Sequence, residues 1–260
     1  MSRTAIIAGQ GGLPAALAKA LDDPLVAALD GFMPAGIEPH IVFRLERLAL
    51  FLRELHQRGV GRVIFAGAVR RPRLDPSLFD PATATLVPRL LAAMQGGDDA
   101  TLRAVIALFE EEGFAVEGVE ALAPELVPSA GMLSGTADEG MARDAERAAA
   151  IVAALGGVDV GQGAVVAQGL CLAVEALPGT DAMLDWVAAT REGAGGVFYK
   201  APKPGQDRRV DLPTLGVDTV ERVANARLDC IAWEAGGVIV LDRGAVVAAA
   251  ESHGITLWAR

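Results

Sequence analysis

Short apolar runs alternate with helix-period segments through the first half of this chain, and that alternation admits only a small set of folds. Ala5–Ala8 is an apolar run that ends in Gly9-Gln10-Gly11-Gly12. Pro14 follows where a helix would begin, a position that tolerates its missing N–H. Leu25–Leu29 reads as a second buried strand. Leu45, Leu48, Ala49, Leu52 and Leu55 recur at helical spacing opposite Arg47, Arg53, Glu54 and Arg58, and Gly59 closes that helix. Val63–Ala66 is a third strand ending at Gly67. Thr101–Glu112 is a further helix, with Leu102, Val105, Ile106 and Phe109 on its apolar stripe, Asp98 or Asp99 as its cap and Gly113 as its stop. Phe114–Val116 then reads as strand. Strands separated by helices predict a parallel sheet covered on both faces.

The pattern lapses around Ala123–Gly135, where Pro124, Pro128, Gly131 and Gly135 suggest a linker. Beyond it, Met141–Leu155 is an Ala-rich helix, and Ala164–Ala167 with Leu170–Val174 predicts a hairpin turning at Gln168-Gly169. Thr180 or Asp181 is expected to cap a helix through Ala188, and Gly196–Tyr199 is a strand. Asp218 and Glu221 have the spacing of a capping box for a helix to Ala226. Ile231–Trp233, Val238–Leu241 and Ile255–Trp258 are further strand candidates, with a helix over Ala245–Glu251. The expected organisation is two α/β domains, residues 1–130 and 138–260, joined by a linker at 131–137.

Composition narrows the function. The 260 residues are 52% hydrophobic, enough to bury a core, and the net charge of −10 gives no electrostatic reason to bind nucleic acid. The longest uncharged runs, Thr4–Ala18 and Val160–Val174, are fifteen residues each and broken by Gly, short of a membrane span. Ala5–Ala8 is cut too soon to serve as a secretory core, so a cytoplasmic location is expected. Cys171 and Cys230 then read as buried thiols rather than a disulfide.

Several chemistries are excluded. There is no Walker loop and no Gly-x-Ser-x-Gly elbow, and His40, His56 and His253 form no His-x-x-x-His pair. The turn Gly9-Gln10-Gly11-Gly12 could cradle phosphate on its amides, yet Pro14 stands where the dinucleotide fingerprint needs a third Gly. A tight turn without ligand explains it as well. Lys200 to Asp211 holds four cations and two carboxylates in twelve residues, bracketed by Pro202, Pro204 and Pro213. Lys and Arg clamp phosphoryl oxygens and a carboxylate holds a hard divalent cation, although a solvated loop has the same composition. Gly96-Gly97-Asp98-Asp99 and Gly179-Thr180-Asp181 are acidic turns for which capping is a sufficient role.

These residues resemble the LpxI family of UDP-2,3-diacylglucosamine pyrophosphatases, enzymes of lipid A assembly in Gram-negative bacteria. The matching stretches are Ile6-Ile7-Ala8-Gly9, Ala66-Gly67-Ala68-Val69-Arg70-Arg71-Pro72, Gly97-Asp98-Asp99, Glu112-Gly113-Phe114, Asp159 through Val166, Ala173-Val174-Glu175-Ala176, Gly179 through Leu184, and Lys203-Pro204 through Arg209-Val210-Asp211-Leu212-Pro213. The resemblance runs end to end. It implies a Rossmann-like N-terminal domain, an α/β C-terminal domain of the family's own kind, and a substrate held between them. It also implies Mg²⁺-dependent attack of water on the α-phosphorus of UDP-2,3-diacylglucosamine, giving UMP and 2,3-diacylglucosamine 1-phosphate (lipid X).

Carried over by position, the essential carboxylate falls on Asp211, as ligand to Mg²⁺ or as base for the water. Asp207 ranks second, and Asp98 and Asp99 are weaker metal candidates. Lys200 and Lys203 would meet the pyrophosphate, and Gln162 and Thr180 would contact substrate. Gly11, Gly12, Leu13, Ala68 and Val69 would line the nucleotide side. Pro178 stands where members usually carry Glu, and Ala68 replaces a polar residue seen in some relatives. The implied partners are the diacylated UDP-sugar and, by peripheral contact, the cytoplasmic face of the inner membrane, with a homodimer left open. The stretch Phe43–Leu55 is amphipathic enough to dock on a bilayer, but a core-facing helix accounts for it better. Two rivals stay open: a dehydrogenase using Gly9-x-Gly11 with Asp30 on the ribose, and a UDP-sugar sensor without catalysis.

Overall fold

A computed structural model describes residues 2–69, 74–95, 98–210 and 212–260, without the side chains of residues 90, 94 and 98–100. It divides into two compact units, Met1–Ala123 and Pro124–Arg260. The first unit runs β1 (Arg3–Ala8), α1 (Leu13–Ala20), β2 (Leu25–Leu29), β3 (Ile41–Phe43), α2 (Leu48–Gln57), β4 (Val60–Ala66), α3 (Pro81–Ala84), α4 (Val87–Gln95), α5 (Asp98–Glu111), β5 (Ala115–Val116) and α6 (Val119–Leu122). Its sheet has five strands in the order β3-β2-β1-β4-β5, all parallel. The chain builds outward from β1 to one side and then crosses to the other. The topological switch point therefore lies between β1 and β4.

Helix α2 buries Leu48, Phe51, Leu52 and Leu55, the i, i+3, i+4, i+7 stripe that its sequence carries. Phe51 stacks on Phe43 at 3.9 Å between ring centroids and meets Phe109 of α5 edge-on at 6.5 Å. The stretch Phe43–Leu55 thus spends its apolar face on the core. The first amides of α2 are served from a distant turn: the Thr83 hydroxyl accepts from the Ala49 N–H at 2.9 Å and donates to Asp80 at 2.6 Å.

The second unit runs β6 (Gly131–Ser134), α7 (Glu139–Gly156), β7 (Gly163–Ala167), β8 (Leu170–Val174), α8 (Gly179–Thr190), β9 (Val197–Lys200), β10 (Thr214–Leu215), α9 (Val217–Asn225), β11 (Cys230–Trp233), β12 (Ile239–Val240), α10 (Arg243–His253) and β13 (Thr256–Ala259). A six-stranded sheet takes the order β6-β13-β11-β9-β7-β8, and β10 pairs with β12 separately. Strands β9, β11 and β13 are parallel, while β6, and β7 with its hairpin partner β8, run antiparallel to their neighbours. Side chains alternate across this sheet. Ala164, Val166, Val197, Tyr199, Cys230 and Ala232 face Ala145, Ala148 and Val152 of α7. Val165, Phe198, Ile231 and Trp233 face the apolar residues of α8, α9 and α10. Small residues on both sides let α7 lie close, and the larger ones fill the thicker layer.

Four expectations need correction. Residues 131–134 of the expected linker form the edge strand β6, because the free edge of β13 needs a hydrogen-bonding partner. Helix α9 starts after Gly216 with no side-chain cap, so Asp218 and Glu221 form no capping box; Glu221 pairs with His253 at 3.0 Å. Helix α8 starts after Pro178 with no side-chain cap, since the Thr180 hydroxyl is engaged elsewhere. Cys171 is exposed on edge strand β8, and only Cys230 is buried; burial pushes the Cys230 thiol up to about 12. Both are free thiols.

The hairpin between β7 and β8 turns at Gln168 and Gly169, both at positive φ, and buried Asp144 of α7 accepts their two amides at 2.9 and 2.7 Å. Asp144→Ala removes both charge-assisted hydrogen bonds that hold the turn and is expected to cost about 2 kcal/mol. Urea unfolding measures it, and an unchanged midpoint would show that the carboxylate does not hold the turn.

Candidate active site

In the first unit the loops after β1 and β4 are tied together at the switch point. Gln10 and Ala68 exchange N–H···O bonds at 2.9 Å each, and the Gly9 N–H donates to the Ala66 carbonyl at 2.7 Å. A Cβ on Gly9 would lie 2.6 Å from the Ala68 oxygen, and one on Gly67, at φ +90°, 2.5 Å from the Gln10 oxygen. Only glycine permits this approach. Gly11, Gly12, Ala68 and Val69 are exposed beside one another, whereas the Leu13 side chain turns into the core and can offer a ligand only its backbone. Asp30, at the end of β2, pairs with Arg44 at 3.1 Å.

In the second unit the carboxyl end of β9 carries the densest polar arrangement. Lys200 and Glu175 are only 6% and 7% exposed. The Lys200 ammonium donates to the Thr180 hydroxyl at 2.9 Å and to the Thr214 carbonyl at 3.2 Å, and the Thr180 hydroxyl donates to Glu175 at 2.7 Å. Burial draws the Lys200 ammonium below its ordinary pKa, opposed by Glu175 and Asp181. Gln162 lies next to this group along the chain: its backbone carbonyl accepts from the Ala201 N–H at 3.0 Å, and its neighbour Gly163 pairs with Lys200 across the sheet.

Beyond β9 the cations of the loop are paired, two with acids outside the loop and one within it. Lys203 holds Asp159 at 2.6 Å, Arg208 pairs with Glu234, and Arg209 grips Asp207 through Nε and Nη2 at 3.0 and 2.8 Å. Asp207 also accepts the Arg209 amide at 3.0 Å. Asp211 lies outside the described residues, as do the side chains of Asp98 and Asp99. Among the described residues no three His, Cys, Asp or Glu side chains could hold a metal ion, and the Asp207 carboxylate is spent on Arg209. The described carboxylates therefore do not fit a metal cage built by protein alone.

Sequence reasoning placed Thr180, Lys200 and Gln162 in the site; the fold puts the Thr180 and Lys200 side chains in contact and holds the Gln162 backbone beside Ala201, the residue after Lys200. Glu175 had no assigned role. Its signals were its place in the matching stretch Ala173-Val174-Glu175-Ala176 and its position as a lone carboxylate directly following the apolar run Leu170–Val174.

A family model described as the LpxI C-terminal domain matches residues 129–258, and one described as the LpxI N-terminal domain matches residues 3–126. The chain belongs to the LpxI family. One LpxI relative, from Caulobacter vibrioides, carries the name UDP-2,3-diacylglucosamine pyrophosphatase LpxI. It is 40% identical to this chain over 270 residues, covering 98% of this chain and 96% of the relative. In this LpxI chain the Thr180 hydroxyl has its carboxylate in Glu175, which reaches it from three residues before Pro178.

Proposed function

We propose that this protein hydrolyses the diphosphate of UDP-2,3-diacylglucosamine in lipid A synthesis, with water attacking the α-phosphorus. The water oxygen bonds to that phosphorus, the bond to the bridging oxygen breaks, and the products are UMP and 2,3-diacylglucosamine 1-phosphate. The reading is carried by one observation beyond family membership: a buried lysine ammonium at the carboxyl end of a central strand, with two of its three N–H donors used by the described residues. The third donor suits a phosphoryl oxygen. Asp211 is assigned as the base for the water or as a ligand to Mg²⁺. Mg²⁺ commonly binds through one or two carboxylates and the substrate phosphates, and it would offset the charge of the diphosphate. Gly11, Gly12, Ala68 and Val69 are assigned to the nucleotide, as expected for loops at a switch point.

Because the acyl chains of this substrate reside in a bilayer, peripheral contact with the cytoplasmic face of the inner membrane belongs to the same proposal. Among the described residues no helix is long and apolar enough to cross a membrane. Exposed Leu170, Val174, Leu177 and Trp186 in the second unit are compatible with such contact.

Purified protein with Mg²⁺ in H₂¹⁸O is expected to release UMP carrying the label, and lipid X without it. Chelation of the metal should stop the reaction. Label in lipid X would place the attack on the other phosphorus, and tight substrate binding without UMP would favour a sensor.

A further inference from the structure

We propose that Glu175 is a positioning residue for Lys200, acting through the Thr180 hydroxyl to hold the ammonium charged and fixed at the end of β9. This rests on the reading that Lys200 meets the diphosphate. An ammonium can only donate, so the Thr180 oxygen must accept from Lys200 at 2.9 Å and give its single proton to Glu175 at 2.7 Å. The direction of the chain is thereby fixed.

The sheet sets both ends of this relay. Lys200 pairs with Gly163 across β7 and β9, and the Gly163 carbonyl accepts the Glu175 N–H at 2.8 Å. Glycines clear the space for the carboxylate, since a Cβ on Gly163 would lie 2.7 Å from Glu175 Oε2. The groups facing Lys200 are Glu175 after β8, Thr180 and Asp181 of α8, and the Thr214 carbonyl of β10. Asp181 is shared with Arg222 of α9 at 3.5 Å, and Arg222 also pairs with Asp185, which leaves Glu175 the less compromised counter-charge. Buried ion pairs contribute little to stability compared with apolar packing. A buried Glu–Thr–Lys chain beside a cation-rich loop is better explained by the need to keep one cation in place.

The consequence has a sign. Burial favours the neutral amine, and the Glu175 carboxylate opposes it. Without that charge Lys200 gives up its proton at lower pH, so the alkaline limb of the activity profile moves to lower pH.

The test uses the full chain carrying Glu175→Gln, Thr180→Val, Thr180→Ser, Lys200→Met and Glu175→Gln with Lys200→Met, each checked by thermal melting. Glu175→Gln keeps the shape and is expected to move the alkaline limb of kcat down by about one unit or more. Thr180→Val should do the same and lower kcat roughly tenfold, with KM changed much less, and Thr180→Ser should restore most of the loss. In the Lys200→Met background, Glu175→Gln should change kcat no further. A wild-type alkaline limb in Glu175→Gln, a full additional loss in the double variant, or Thr180→Ser as impaired as Thr180→Val would overturn the proposal.

A second readout needs no substrate. The chain has only three lysines, Lys19, Lys200 and Lys203, so ¹³Cε labelling gives three resonances and Lys200→Met assigns the one in question. Its titration midpoint should fall in Glu175→Gln; an unchanged midpoint refutes the relay whatever the enzyme hydrolyses. A lowered midpoint in a protein that releases no UMP would uphold the hold on Lys200 and reject the activity.

Discussion

Asp211→Ala is expected to lower kcat by about 10²–10⁴-fold while substrate binding persists, the pattern left when a base or a metal ligand is removed from a site whose binding contacts remain. The flanks of Asp211 support the assignment. Asp207, its neighbour in the same loop, is committed to the Arg209 guanidinium and amide. On the other side the Pro213 carbonyl accepts the Ile239 N–H at 2.9 Å, and Thr214 and Leu215 pair with β12. The loop is thus anchored before and after the acid, and truncating one side chain should leave the anchors in place. Single-turnover kinetics with equilibrium binding separate the outcomes. Turnover near wild type in Asp211→Ala would remove Asp211 from the mechanism, and loss of binding with the chemistry intact would make it a substrate contact. Asp207→Ala is the control, expected to act through Arg209 and the loop with a smaller loss.

The parallel sheet of the first unit was legible because the central strands carry buried apolar runs: β1, β2 and β4 all begin or end within a few residues of the runs Ala5–Ala8, Leu25–Leu29 and Val63–Ala66. Strand β3 was not. It is three residues long with Val42 exposed between Ile41 and Phe43, too short for periodicity to register. Strand β6 was hidden differently, behind the glycines and prolines that suggested a linker, and its pairing with β13 depends on residues more than a hundred positions away. The two failed caps share a cause. Capping is inferred from local spacing, but Thr180 and Glu221 have partners outside their own helices, Glu175 five residues before Thr180 and His253 far along the chain, and a side-chain oxygen already engaged does not serve its own helix.

Within the site, the residues supplied by the family's motifs, Gln162, Thr180 and Lys200, converge because β7 and β9 are adjacent and α8 begins beside them. Lys203 was expected to meet the pyrophosphate beside Lys200; it pairs with Asp159, a residue at φ +58° whose position depends on the turn that ends α7. What the sequence could not convey was burial. Lys200 reads there as one of four loop cations, yet it belongs to a strand and is nearly inaccessible, and that difference turns a solvated charge into one that needs Glu175.

The same contact explains why the stretch Asp159-Val160-Gly161-Gln162-Gly163 needs its glycines, and it sets the largest stability effect expected here. A Cβ on Gly161 would lie 2.1 Å from the Glu175 carbonyl oxygen and 2.7 Å from its carbon. Both are backbone atoms, so no rotamer change relieves the clash, and the chain leaving β8 must move. Gly161→Ala is expected to destabilise the protein by about 3 kcal/mol, at the upper end for overpacking. That corresponds to a fall in Tm of roughly 10 °C for a unit of this size. Gly169→Ala provides the contrast. Unlike Gly161 it sits at positive φ, +75°, but nothing lies within 4 Å of its Cβ, so only backbone strain opposes it and the loss should be about 1 kcal/mol. Because the displaced segment carries Glu175, Gly161→Ala should also move the alkaline limb of the activity profile as Glu175→Gln does, and Gly169→Ala should not. A Gly161→Ala protein that melts with the wild type would mean that the approach of Gly161 to Glu175 is looser than 2.1 Å implies, and with it the hold of that carboxylate on Thr180 and Lys200.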